Sequence, residues 1–574
     1  MIGARKGRRP FPGSPARRLP GIFEKLPQSL TLPIQAMPRI IELLLNEPDF
    51  PKSRMIFMVV VSGCAGGAIL AAINFATEQI SLSQADPQHF IATLVLLVLT
   101  VYTQHYFLAQ MTVSVEEVLL KLRMHIGNRL RHADLRFIEE IGGAAVYASL
   151  TKDTQIVSQS ALSMALLARS ALVVLVSLVY LAWISFSALL ATVGFIGLYA
   201  VIHAYVIHPR LLLKFEGSLV GEQAFFRHLQ AFLAGFKEIK LNRRKSNDLF
   251  ERYGWAAGDI SARKRDINAE ITRSFTLGYT AFYSLLIVLA IVIPGVSSEL
   301  TAHVFKITAI VIYIVSELDP WLTWIPEIVR ADAAVEDLYQ LELKLRLSPH
   351  AETHARLAEP LRDFSTLALH GVEFRYQDGH GRRSFPVGPL DLTLRKGELL
   401  FIVGGNGSGK TTLLKLLAGL YYPQAGMVLV DGRPLEVAAY SGYRELFSAV
   451  FPDFYLFDRL YGLQDAVPEQ VGQWLQVMQL SDKTAFAEGG FTQRELSTGQ
   501  RKRLAFIAAV LENRPVLIID EFAADQDPEF RERFYTEILP ELKRQGRTVL
   551  AVTHDDRYFH LADRVLVMVN GKLR

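Results

Sequence analysis

Gly404-Gly405-Asn406-Gly407-Ser408-Gly409-Lys410-Thr411-Thr412 is the stretch from which the rest of the chain is read. An apolar run, Leu399 to Val403, precedes it, and Leu413-Leu414-Lys415-Leu416-Leu417 follows. Strand, glycine loop and helix in that order make a phosphate-binding P-loop. The glycines let the backbone curl until several N–H groups face one anion at the positive end of a helix. Gly404 through Thr412 is therefore the candidate ATP-binding set. Within it Lys410 is placed to reach the β- and γ-phosphates, and the Thr411 hydroxyl to ligate Mg²⁺.

The chain has 574 residues, room for several domains. Half are hydrophobic and 21% are charged, against about 25% in soluble proteins, which points to membrane segments. A net charge of +4 gives no reason to expect a nucleic acid partner. The single cysteine, Cys64, excludes an intramolecular disulfide and any multi-cysteine metal site, and its apolar surroundings predict a packing role.

Residues 1–31 are basic and proline-rich. Arg8-Arg9 is followed by Pro10 and Pro12 and by no nearby apolar region, so the reading is a disordered tail against an anionic cytoplasmic leaflet and not a signal peptide. Residues 33–46 have the apolar spacing of an interfacial helix. Six apolar runs follow, near 55–77, 90–111, 162–184, 187–208, 276–297 and 304–328, each close to the ~20 residues a bilayer needs. Segments 78–89, 185–186 and 298–303 carry no Lys or Arg, whereas 112–160 and 209–275 carry clusters such as Arg243-Arg244-Lys245. Positive charge stays inside, so the two basic loops and everything after the sixth run are expected in the cytoplasm, where ATP is. The expected fold class is a membrane α-helical bundle of six transmembrane helices fused to an α/β P-loop NTPase domain. Its divisions are a 1–31 tail, a 32–330 transmembrane domain, a 331–363 linker and a 364–574 ATPase domain. The long basic loops read as helical arms that carry motion from the ATPase domain into the bilayer.

A P-loop alone says only NTPase. Val516-Leu517-Ile518-Ile519-Asp520-Glu521 is a buried strand ending in two carboxylates. Asp520 suits Mg²⁺, and Glu521 is placed to polarise an attacking water as general base. Thr553-His554 closes a further strand, where His554 could contact the γ-phosphate and hold Glu521 in line. Lys410, Glu521 and His554 are the candidate catalytic residues.

Leu496-Ser497-Thr498-Gly499-Gln500, running into Arg501-Lys502-Arg503-Leu504-Ala505, narrows the class. With it the chain resembles the ABC transporter ATPases, whose signature is a Leu-Ser-x-Gly-Gln helix start. The resemblance spans 365–574 and covers the order and spacing of P-loop, signature, Asp-Glu strand and histidine. It implies that Ser497, Thr498, Gly499 and Gln500 bind the γ-phosphate of an ATP held by another subunit, so a half-transporter of this kind works as a dimer, most simply a homodimer. It also implies that Tyr376 stacks on adenine and that Asp527, in Asp525-Gln526-Asp527-Pro528, lies in a loop crossing the dimer. One position departs from the family: its metal-sensing glutamine corresponds to Pro452, which cannot ligate Mg²⁺. Either the adjacent Asp453 does so, or coupling works differently.

The runs Phe447-Ser448-Ala449-Val450-Phe451, Asp453-Phe454-Tyr455-Leu456-Phe457-Asp458, Gly499-Gln500-Arg501-Lys502-Arg503-Leu504-Ala505, Asp520-Glu521-Phe522-Ala523-Ala524-Asp525-Gln526-Asp527-Pro528 and His554-Asp555-Asp556-Arg557-Tyr558 resemble the bacterial cyclic-peptide and siderophore exporter subfamily. The resemblance implies ATP-driven export of a cyclic or modified peptide, or a peptide siderophore precursor, from cytoplasm to periplasm across an inner membrane, with room for a periplasmic partner. An importer or a lipid or drug exporter on the same fold is the alternative. A non-transporting ABC ATPase is a further class, and the attached spans argue against it. Within the spans, Glu317 and Asp319 ahead of Pro320 are the candidate substrate-cavity residues. Arg169 and Lys306 lie near span ends, where their side chains can reach the headgroups.

Overall fold

The computed structural model describes residues 39–48, 50–81, 87–292, 303–348, 358–377, 383–463 and 467–574. The basic tail 1–31 lies outside the described residues, as do the start of the interfacial helix and most of the outer segments at 82–86 and 298–302. The remainder of that first helix is Arg39–Asn46, whose Ile40 and Leu44 are buried.

The N-terminal half is helical. Among the described residues four helical stretches are long and apolar enough to cross a bilayer: Lys52–Ala76, Gln88–Arg131, Val146–Ile184 and Phe186–Leu211. Their outward faces carry Phe90, Val95, Val98, Tyr102 and Trp183, all exposed, as a lipid-facing surface requires. The fifth and sixth apolar runs are not among these four. The fifth run belongs to Arg243–Ile287 and a π-helical turn, Val288–Val292, and its last residues lie outside the described set. The sixth run is divided at Pro320 into Val304–Leu318, of 15 residues, and Trp321–Arg346. Proline removes one helical hydrogen bond and its ring crowds the preceding turn, so the helix bends there. The charged stretch after Arg330 continues the second of these helices as far as Arg346.

Two helices, Pro87–Arg131 and Arg243–Ile287, have 45 residues each. At 1.5 Å per residue each is about 67 Å long, roughly twice the hydrocarbon thickness, so they project well beyond the bilayer. Gly63 and Gly67 let the Lys52–Ser81 helix approach Thr154–Ile184 closely: a Cβ at either would lie 2.5 Å from Leu172 or Val176. Cys64, one residue from Gly63, points away from that contact and is exposed, which corrects the packing role read from sequence.

The C-terminal half is α/β. A six-stranded sheet runs in the order Lys572–Leu573, Arg564–Val569, Leu399–Val403, Thr548–Val552, Val516–Asp520, Phe447–Val450, parallel except at the first strand. A four-stranded antiparallel sheet, order Arg383–Arg395, Thr366–Gln377, Ala425–Val430, Arg433–Pro434, packs beside it. The central strand alternates: Leu400 and Ile402 join the core under the antiparallel sheet, and Leu399 and Phe401 the core on the opposite face. Helices on one side and a second sheet on the other explain why all four are fully buried.

Candidate functional site

Register fixes the geometry. Val552 lies opposite both Ile402 and Asp520, so Gly404, Glu521 and Thr553-His554 leave the sheet at one carboxyl edge. Ligands of open α/β sheets bind at that edge.

The loop after Val403 curls through Gly404, Gly407 and Gly409, all with positive φ, and delivers Lys410 as the first residue of the helix Lys410–Leu417. Gly404 cannot be replaced without displacing backbone, because a Cβ would meet the Met568 carbonyl at 2.2 Å. Lys410 is 5% exposed and donates to the Gly404 and Gly405 carbonyls at 3.0 and 3.1 Å, which points its ammonium into the loop. The Thr411 hydroxyl donates to Asp520 Oδ2 at 2.7 Å. Among the described residues, Asp520 Oδ1 and the Ser408 hydroxyl are buried without a hydrogen-bond partner. Burial, and then the neighbouring Glu521, push the Asp520 carboxyl above the usual carboxylate range, with the Thr411 bond opposing. A buried carboxylate oxygen lacking a partner beside a phosphate loop fits a hard cation such as Mg²⁺.

Glu521 follows with a left-handed backbone (φ 50°) that turns its side chain out of the strand. Its Oε1 lies 3.9 Å from Lys410 Nζ and 3.4 Å from His554 Nε2. Lysine, glutamate and histidine therefore meet in one cluster. Asn406 is exposed at the loop tip. The Tyr376 hydroxyl is 3.0 Å from the Thr412 hydroxyl, and its ring stands edge-on to Phe374 and Tyr421. Asp453 is exposed and close enough to Asp520 to repel it electrostatically, whereas Pro452 brings no polar side chain.

The signature residues form a helix start away from this cluster. Ser497 caps Thr498–Leu511: its hydroxyl accepts from the Gln500 N–H, and the Gln500 side chain accepts in return from the Ser497 N–H. Gly499 runs against Asp525, whose carbonyl would lie 2.4 Å from an added Cβ. Among the described residues no hydrogen bond or ion pair joins Ser497 to Gln500 with the P-loop. Sequence reasoning passed over Arg503, which donates to Gln526 at 2.7 Å and to Asp527 at 2.6 Å and lies 3.5 Å over the Phe530 ring. It also passed over Lys502, bonded to the Glu521 carbonyl and paired with Asp525. Both stood in the quoted Arg501-Lys502-Arg503 run, and their spacing against Asp525 and Asp527 was the available signal.

The family model described as ABC transporter matches residues 387–524. The ATP-binding protein SyrD of Pseudomonas syringae pv. syringae is 31% identical over 528 residues, 89% of this chain and 92% of its own length. The chain is an ABC transporter. The transporter is also 25% identical over 494 residues to the ATP-dependent lipid A-core flippase of Burkholderia orbicola, covering 82% of this chain and 80% of that one. A solved bacterial Atm1-family ABC exporter with ATP bound superposes with a TM-score of 0.71 at 16% identity, over 92% of this chain and 95% of the other, which establishes the shared exporter fold. The transporter thus couples ATP hydrolysis to transport through an N-terminal helical membrane domain.

In that membrane domain the two candidate acids part company. Glu317 pairs with Arg169 at 3.6 Å, both side chains about 15% exposed. Arg169 accordingly turns to this partner and not to the headgroups. Asp319 does line a cavity. Two residues apart on a helix is about 200°, so one face cannot hold both.

Proposed function

We propose that the transporter exports a cyclic or modified peptide, or a peptide siderophore precursor, from cytoplasm to periplasm across an inner membrane, as a homodimer. The observation that carries the dimer is the division of labour within one chain: the P-loop cluster and the Ser497 helix start are each well formed and not bonded to each other. A second copy supplies the missing half of each site. An exposed arm tip agrees with this, since Phe236–Leu241 leaves Phe236 and Leu241 uncovered. A groove of about 440 Å³ beside Glu139, lined by Phe451, Phe454 and Leu456, is where a partner's tip would seat.

In the cycle, Lys410 and the backbone from Gly404 to Thr412 hold the phosphates, and Tyr376 meets the adenine. Thr411 and Asp520 hold Mg²⁺, with Asp453 near enough to assist. When bound, Mg²⁺ neutralises charge on the β- and γ-phosphates. Glu521 takes the proton of the attacking water while His554 fixes its carboxylate. Ser497, Thr498, Gly499 and Gln500 close on the partner's γ-phosphate, and Asp527 stands at the crossing. All six apolar runs cross the bilayer in this reading, with Lys410 in the cytoplasm.

The motif runs from Phe447 to Asp458 and from His554 to Tyr558 support the peptide class. Likeness to a lipid A-core flippase favours lipid as the second reading. Peptide-stimulated ATPase activity in lipid nanodiscs separates the two. Stimulation by cyclic lipopeptides and not by lipid A supports the peptide reading, and the reverse pattern replaces it.

A further inference from the structure

A cavity of about 280 Å³ opens between Phe186–Ile202, the end of Arg243–Ile287 and the helices meeting at Pro320. Its walls are aromatic: Phe195, Tyr199, Tyr279, Phe282 and Trp321. Two of these rings are held by bonds from outside the cavity. The Trp321 indole N–H donates to Ser170 at 2.9 Å, and the Tyr199 hydroxyl lies 3.4 Å from that of Ser274. His203 also contributes to the lining.

Asp319 is the carboxylate in this wall. Its hydrogen bond comes from the Tyr279 hydroxyl, at 3.4 Å, and among the described residues no lysine or arginine pairs with it. The contrast with Glu317, two positions away and matched by Arg169, is direct. A carboxylate within a membrane helix is costly when unmatched. Asp319 is thus a carboxyl group with no cationic partner among the described residues, set among aromatic side chains, and carboxylates and aromatic rings both attract cations.

Resting on the transport reading above, we infer that this cavity is a cargo subsite selective for an organic cation with an apolar body, with Asp319 as its charge-recognising residue. The volume suits one ammonium- or guanidinium-bearing side chain and not a whole peptide. The cargo class narrows accordingly to peptides carrying at least one positive side chain.

The test is saturation binding of radiolabelled benzyltrimethylammonium to the full-length transporter in nanodiscs, with phenylmethanesulfonate, of similar size and opposite charge, as competitor. Wild type should bind the cation saturably and ignore the sulfonate. D319N should weaken binding about tenfold or more, and D319E should restore most of it. No saturable binding up to millimolar concentration, equal competition by the sulfonate, or a D319N affinity equal to wild type would overturn the inference. Cation binding that depends on Asp319, in a protein that transports no peptide, would keep the subsite and discard the peptide cargo. Peptide transport without such binding would do the opposite.

Discussion

Lys415 and Glu139 are 2.9 Å apart across the boundary between the motor and the membrane domain. Lys415 lies in the helix that begins at the P-loop lysine, and Glu139 in Leu135–Ile141, at the tip of the first cytoplasmic arm. The Tyr421 hydroxyl donates to the other Glu139 oxygen at 2.5 Å, and Arg136 lies 5.3 Å from the Phe374 ring centroid. Tyr421 in turn touches Tyr376, whose hydroxyl reaches Thr412. A continuous chain of contacts therefore runs from the nucleotide loop to the arm. Burial and the adjacent Glu139 carboxylate hold the Tyr421 phenol well above its ordinary range, so it stays a donor at every physiological pH.

Breaking that contact should uncouple the machine. E139Q removes the charge that Lys415 faces while leaving the ATP cluster intact. Transport per ATP hydrolysed should fall severalfold, with basal hydrolysis within about twofold of wild type. Parallel loss of both activities would show that Glu139 acts on the ATP site itself.

Glu521 tests the chemistry. E521Q keeps the size and the contact side of the residue but loses the base, so hydrolysis should drop by about 10²-fold or more while ATP binding persists. Single-turnover hydrolysis with equilibrium ATP binding in the same preparation separates the two. Wild-type turnover in E521Q would remove the residue from the base role.

Asp527 carries a pH signature. The Phe530 backbone N–H and then Arg503 hold its carboxyl below the usual range. The folded form therefore binds its proton less readily than the unfolded form. That stabilisation is present above the unfolded value, about 3.9, and is lost as pH falls through the depressed folded value. Melting temperature against pH should show a steeper acid-side fall in wild type than in D527N. Parallel curves would deny Asp527 that role.

Gly67 tests the helix contact. In G67V the new Cβ would sit 2.5 Å from Val176, and overpacking of this kind costs about 1–3 kcal/mol. The detergent-solubilised variant should melt several degrees lower. Gly194, with no neighbour within 4 Å of an added Cβ, is the control, and G194A should melt as wild type.

The motor was legible in the sequence because its signals are local. A strand, a glycine loop and a helix at Gly404–Thr412 need no distant partner to be read, and Ser497 and Gln500 cap a helix with bonds between neighbours in the chain. What escaped was set by tertiary approach. Glu139 and Lys415 lie 276 positions apart, and nothing in either neighbourhood announces the other. The split between Glu317 and Asp319 was half legible: helical geometry already places them on different faces, but only the position of Arg169 tells which one is neutralised. Cys64 was misplaced for the same reason, since the packed face belongs to Gly63 and Gly67.

ATP-dependent uptake into inside-out vesicles tests the central claim most directly, with the producing strain's own secreted peptides and siderophore precursors offered as cargo and K410A as control. Accumulation of one such peptide, absent in K410A, is the predicted result. Vigorous ATP hydrolysis with no peptide accumulating in wild-type vesicles would contradict peptide export while leaving the motor in place.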